Sequence, residues 1–183
     1  MSEDEKKRRG KKRSEVRSEI RDWRSAIRRR RFLKPVVQLE RTGCGIASVA
    51  ALAGVSYGAA QRSARRLGIV ASDARLWSAT NHVRRLLDRY GLRAHSRETR
   101  FGSWSALPAR ALLAVKWHRE GVRAYWHWVV FVREQGRARV LDSAAALKRH
   151  ARTDFGRIKP KWFIAVTGTG REPLAGRART RRH

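Results

Sequence analysis

The sequence predicts an α+β domain in which helices come first and strands of an antiparallel sheet second. Three observations carry this. Between residues 44 and 91, apolar residues recur at helical spacing between glycine stops. From residue 111 onward, short β-branched and aromatic runs are separated by turn residues. Both ends of the chain are strongly basic and poor in apolar residues. With 183 residues, 42% of them hydrophobic and seven tryptophans, the chain has material for one core rather than two. The domain is expected over residues 35–168, between basic tails at 1–34 and 169–183.

The first tail carries Lys and Arg blocks at 6–9, 11–13 and 28–31, which repel one another and oppose compaction. Val16, Ile20, Trp23 and Ile27 nevertheless share one helical face. Residues 14–31 are therefore either a basic amphipathic helix or a solvated tail with a docking stripe. An extended lead-in follows over 32–39, since Pro35 cannot donate into a helix and Val36 and Val37 are β-branched.

Gly43-Cys44-Gly45 then opens a helix of small and apolar residues, Ile46 through Ala53, apolar on most sides and hence buried, with Gly54 as its stop. A second helix is expected over 56–67, closed by Gly68. A third is expected over 73–90, capped by Ser72 or Asp73, ended by Gly91, and packing through Trp77, Val83, Leu86, Leu87 and Tyr90. Strands are expected at 111–117, 125–133, 137–141 and 162–167. Beyond Gly168 the chain is rich in glycine and arginine and is expected to be disordered.

Lys and Arg number 44 against 15 Asp and Glu, a net charge of +29. Such a field draws nucleic acid, anionic lipid or an acidic protein, although an arginine-biased codon usage produces the same excess. One cysteine excludes an intrachain disulfide and a Cys-based structural zinc site. A lone thiol suits a reducing cytosol, so a cytoplasmic protein is expected. Charged residues interrupt every apolar stretch before membrane-spanning length, so no transmembrane segment is expected.

The chemistry centres on Cys44. The nucleophilic form of cysteine is the thiolate, which the first turn of a helix favours through its unpaired N–H groups and positive dipole end. Flanking glycines would let a substrate backbone approach and free N–H groups to face an oxyanion. The alternative is a buried, inert structural cysteine. His127 lies in a strand whose alternation puts Tyr125, His127, Val129 and Phe131 on one face, where it is either a satisfied core histidine or a base. With Gln135-Gly136 as a two-residue loop, Glu134 pairs with Arg137 and Val129 with Asp142. His127 is then diagonal to Asp142 on the same face, whereas a slip of one residue would put them on opposite faces. An Asp there can hold the imidazole tautomer and stabilise its cation; otherwise it is a turn aspartate. Gln38, six residues before Cys44, can add a side-chain amide to an oxyanion site with the Cys44 N–H.

These residues carry a resemblance. Residues 38–50 (QLERTGCGIASVA), 127–131 (HWVVF) and 140–143 (VLDS) resemble, in order, the three motifs of the C39 peptidases and C39-like papain-fold proteins, over roughly 36–166. The resemblance implies a papain-like cysteine proteinase fold. It also implies Cys44 as nucleophile, His127 as base and then acid, Asp142 as its orienting partner and Gln38 in the oxyanion hole. C39 members typically cleave leader peptides after a double glycine. Here Gly43 stands where an aspartate commonly precedes the cysteine, Asp142-Ser143 stands for a common Asp-Pro, and no transporter segment follows.

The expected activity is hydrolysis of a peptide or amide bond in a peptide or protein through a thioacyl-enzyme, with transfer of the acyl group to an amine as a third reading, served by the same intermediate. The rival is a catalytically silent papain-fold protein that binds nucleic acid or another anionic partner through its tails. No cofactor or metal is expected: the remaining histidines, His82, His95, His118, His150 and His183, lack paired spacing, and no glycine loop precedes a lysine as in a phosphate cradle.

Overall fold

A computed structural model describes residues 32–73 and 79–168. The chain divides into units at 1–32 and 33–183, and the second is the folded domain considered below. The basic tails, apart from residues 32–34, and the expected helix at 14–31 lie outside the described residues; Leu33 packs against the core and its N–H donates to the Glu134 carboxylate. Among the described residues no single helix is long and apolar enough to cross a membrane.

The domain is α+β, with three helices followed by a seven-stranded antiparallel sheet. Helix α1 spans Cys44–Ala53 and is buried almost throughout, as its small residues require for close packing. Gly54 ends it in the left-handed conformation, its N–H donating to Ala51 O while Val55 N–H donates to Ala50 O. Helix α2, Tyr57–Arg66, is capped by Ser56, whose Oγ accepts from Ala59 N–H at 3.3 Å. Helix α3 spans Asn81–Arg89, shorter than the sequence suggests: residues 79 and 80 are not helical, and Thr80 precedes the first turn without a side-chain cap. The proposed cap at Ser72 or Asp73 instead lies in a turn, where Asp73 N–H donates to Val70 O. Trp77 lies outside the described residues.

The sheet contains β1 (Arg93–Ala94), β2 (Thr99–Arg100), β3 (Arg110–Glu120), β4 (Arg123–Glu134), β5 (Arg137–Asp142), β6 (Ala151–Arg152) and β7 (Pro160–Thr167). Its order is β1-β7-β3-β4-β5-β6, with β2 also paired to β7. Alternation sorts the strands onto two cores. Leu112, Trp128, Val130, Val132, Leu141 and Ile164 pack with α1, α2 and α3. Leu113, Val129, Phe131 and Val140 form the other face, covered by Phe101, Trp104, Leu107, Phe155 and Ile158 from the connections. Arg133 fastens that cover by donating to the Trp104 and Leu107 carbonyls, each at 3.0 Å.

The β4–β5 hairpin has the expected register, with Glu134 opposite Arg137 and Val129 opposite Asp142. Its loop residues Gln135 and Gly136 both have positive φ, 50° and 75°, the backbone a tight two-residue hairpin turn needs to match strand twist. The β3–β4 hairpin is longer than its apolar residues indicate. It continues through the mostly exposed stretch 116–124, where no buried face imposes alternation.

Candidate active site

Asp142 is the last residue of β5, so β4 before Val129 has no β5 neighbour. His127 sits on this unaccompanied stretch of β4. Its Nε2 lies 2.8 Å from Asp142 Oδ1, and its side chain lines one cleft with Cys44, the first residue of α1. Since Asp142 occupies Nε2, Nδ1 is the ring nitrogen left for the thiol. The structure therefore brings Cys44, His127 and Asp142 into one file, in which His127 and Asp142 are hydrogen-bonded and Cys44 shares the cleft with His127.

The electrostatics of the file follow from its neighbours. Burial opposes a charge on His127, yet the Asp142 hydrogen bond and the proximity of Cys44 and Asp142 raise its pKa to about 9. Burial likewise opposes a charge on Asp142, but His127, the Ala144 N–H and Arg152 together hold its carboxyl below the usual range. Ala144 N–H donates to Oδ1 and Arg152 to Oδ2, each at 3.1 Å. Arg152 is itself fixed by Asp154, and His150 Nδ1 lies 3.0 Å from the Asp142 carbonyl oxygen.

Gln38 lies beside this file in a network of its own. Its amide nitrogen donates to the carbonyls of Glu40 and Arg41, both at 3.0 Å, and its Oε1 accepts from Ser143 Oγ at 3.0 Å. Two carbonyl acceptors on one side and a hydroxyl donor on the other fix which end is nitrogen. The backbone adds Gln38 N–H to Ser143 O at 3.0 Å, tying the lead-in to the residue after Asp142. In this conformation both amide hydrogens serve the loop before α1. Among the described residues no side chain caps the start of α1, which leaves the N–H groups of its first turn available.

The glycines around Cys44 have packing roles beyond the approach of a substrate. A Cβ at Gly43 would run into the Tyr57 hydroxyl and come 3.1 Å from Glu40 O. Tyr57 and Gln61 both donate to the Glu40 carboxylate, joining the loop to α2. Burial and Glu40 together push the Tyr57 phenol upward, keeping it protonated and a donor. Gly45 lets α1 close on α3 and β4: a Cβ there would lie 2.9 Å from Val83 Cγ1 and 3.2 Å from His82 Nε2.

A cleft of about 230 Å³ opens at Cys44 and His127, with Trp126 beside them. Arg41 and Thr42 line it from the loop, and Lys116, His118, Glu120 and Tyr125 from the β3–β4 hairpin. Trp126, Trp128 and Trp162 pack edge to face, with ring centroids 5.1 to 5.8 Å apart. Among the described residues no group of three or more His, Cys, Asp or Glu side chains could hold a metal ion.

Sequence reasoning did not reach Arg152, Ser143, Glu40 and Tyr57, which hold Asp142, Gln38 and the loop before Cys44. Nothing in their local sequence marks them, because each acts across a fold-dependent contact between separate segments. No protein-family model matches the chain, and no curated protein shows significant similarity to it.

Proposed function

We propose that the chain is a papain-like cysteine peptidase or amidohydrolase acting through a thioacyl-enzyme at Cys44. The observation that carries this reading is the file Cys44–His127–Asp142, with a helix-start thiol and a strand-borne imidazole at the wall of one cleft and a buried carboxylate hydrogen-bonded to the imidazole.

Chemically, Cys44 Sγ attacks the substrate carbonyl carbon while its proton resides on His127 Nδ1. The tetrahedral oxyanion takes N–H donation from the start of α1. His127 then delivers the proton to the departing amine, the C–N bond breaks, and a thioester remains on Cys44. Water, deprotonated by the now neutral His127, attacks the thioester, releasing the acid and returning the proton through His127 to sulfur. An amine in place of water yields a new amide by the same steps. Asp142 keeps the proton on Nε2, so Nδ1 faces sulfur, and it balances the imidazolium. Gln38 joins the oxyanion site by giving up its Glu40 or Arg41 carbonyl for the substrate oxygen.

Incubation with a peptide mixture, read by mass spectrometry, tests the reading. Cys44→Ala is expected to abolish both cleavage and labelling by a thiol-directed electrophile. Cleavage undiminished in that variant overturns it. The silent, nucleic-acid-binding alternative is motivated by the net charge of +29 and the basic tails. A salt-dependent DNA or RNA affinity lost with residues 1–34, together with an unreactive Cys44, favours it.

A further inference from the structure

Between Val115, opposite His127, and His118, opposite Tyr125, strand β3 carries an extra residue, so Lys116 and Trp117 together face the single Trp126. Lys116 is left-handed there, with φ of 52°, in a region that disfavours side chains other than Asn, Asp and Gly. Bulges of this kind re-aim a side chain, and this one lies directly after the residue paired with His127. From it onward alternate residues Lys116, His118 and Glu120 line the cleft, while Lys161 covers the Trp117 ring at 4.9 Å.

The charges in this wall are not equivalent. His118 Nε2 is 3.3 Å from Glu120 Oε1, and the His118 ring stacks on Tyr125 at 5.5 Å, so the only acid among the described residues lining the cleft already has a partner. The Lys116 ammonium has no acidic partner among the described residues. It stands exposed in the cleft that holds Cys44 and His127, with Arg41 lining the opposite loop.

We infer that Lys116 is a specificity-determining residue that receives a carboxylate of the substrate next to the scissile carbonyl, so that the preferred substrate is an acidic peptide. The inference rests on the thiol-acylation reading above. The long-range field of a chain with net charge +29 works in the same direction, concentrating anionic substrates near the cleft. Lys116 thus holds a left-handed backbone that asparagine or glycine would adopt with less strain, at the wall of the cleft.

Because the full chain has one cysteine, alkylation reports Cys44 alone. Iodoacetate and iodoacetamide react alike: sulfur displaces iodide, a C–S bond forms and the C–I bond breaks. Only iodoacetate carries a carboxylate. The ratio of their rates cancels any change in intrinsic thiol reactivity. In Lys116→Asn, which suits the left-handed backbone, the iodoacetate-to-iodoacetamide ratio is expected to fall by about two- to fivefold, and in Lys116→Glu further. The difference should shrink at high salt. An equal ratio in all three proteins, with unchanged melting temperatures, overturns the inference. Cleavage of random peptide pools with free and amidated C-termini then separates the sources. Acidic residues enriched beside the cut in both pools assign the carboxylate to a side chain, and cutting confined to free termini assigns it to the terminal carboxylate. Cuts enriched in neither overturn the inference. Absence of all cleavage overturns the hydrolase reading instead, with the alkylation ratio still deciding the role of Lys116.

Discussion

Replacing Asp142 by Asn removes a charge from the file while keeping an oxygen for the His127 N–H, and its consequences can be worked through. His127 stands at about 9 instead of 6.5 because Asp142 and Cys44 overcome its burial. An adjacent opposite charge contributes about 1 to 3 pH units in such settings. Loss of about 1 to 2 of these brings the imidazole to a midpoint between about 7 and 8. At about 1.4 kcal/mol per pH unit, the variant loses about 1.4 to 2.7 kcal/mol of stability near pH 6. The sign follows from a raised folded pKa. The contribution of His127 is complete below 6.5 and disappears as pH rises through about 9, so the deficit of the variant fades by pH 10. Asp142, held below its ordinary range, contributes above that range and loses its contribution on acidification, so the deficit also fades in acid. Loss of the Arg152 pair adds a cost that does not vary across the neutral range, since Arg152 stays charged throughout it. The assays are an NMR titration of the His127 ring protons and denaturant unfolding from pH 4 to 10 in both proteins. A His127 midpoint identical in the two would refute Asp142 as the source of the raised value.

Other expectations concern the residues around the file. Gly43→Ala should cost about 1 to 3 kcal/mol in chemical unfolding, because its Cβ meets the Tyr57 hydroxyl, and Tyr57→Phe should recover part of that cost in a double-mutant cycle. His82 is buried, its Nδ1 has no hydrogen-bond partner among the described residues, and burial lowers its pKa to about 4 despite the pull of Asp73. Its stabilising contribution is intact above 6.5 and lost as pH falls to about 4, amounting to about 3 kcal/mol, so His82→Gln should flatten the acid limb of the stability profile. Gln38→Ala should lower kcat more than it raises KM if the amide turns to the oxyanion during reaction; a loss of thermal stability with unchanged kcat would confine Gln38 to the Ser143 and Glu40 network.

The relation between His127 and Asp142 was legible in the sequence because a two-residue loop and strict alternation leave a hairpin few choices, and Gln135-Gly136 supplied the loop. The small-residue helix behind Cys44 was legible for a similar reason, since it must be buried to exist at all. Other features were opaque. The extension of the β3–β4 hairpin is exposed on both faces, so hydrophobic periodicity does not mark it, and the bulge at Lys116 interrupts what periodicity there is. The two-residue strands β1, β2 and β6 are held by their partners rather than by propensity. The third helix read too long because its packing face was carried back through Trp77 to a cap at Ser72 or Asp73, whereas residues 79 and 80 are not helical. Gln38 was expected as a donor to substrate, and its engagement with Glu40, Arg41 and Ser143 depends on contacts across the fold.

The early end of β5 divides responsibility for the site between two layers. His127 and Asp142 are aligned within one hairpin, whereas Cys44 arrives on a helix whose place is set by Gly45, Val83 and Trp128 across the core. Weakening the helix layer should therefore separate sulfur from imidazole while the imidazole remains held by its carboxylate. Cys44 reactivity becomes a sensor of how firmly helices and sheet are docked, one that would register loosening of that contact before the sheet itself gives way.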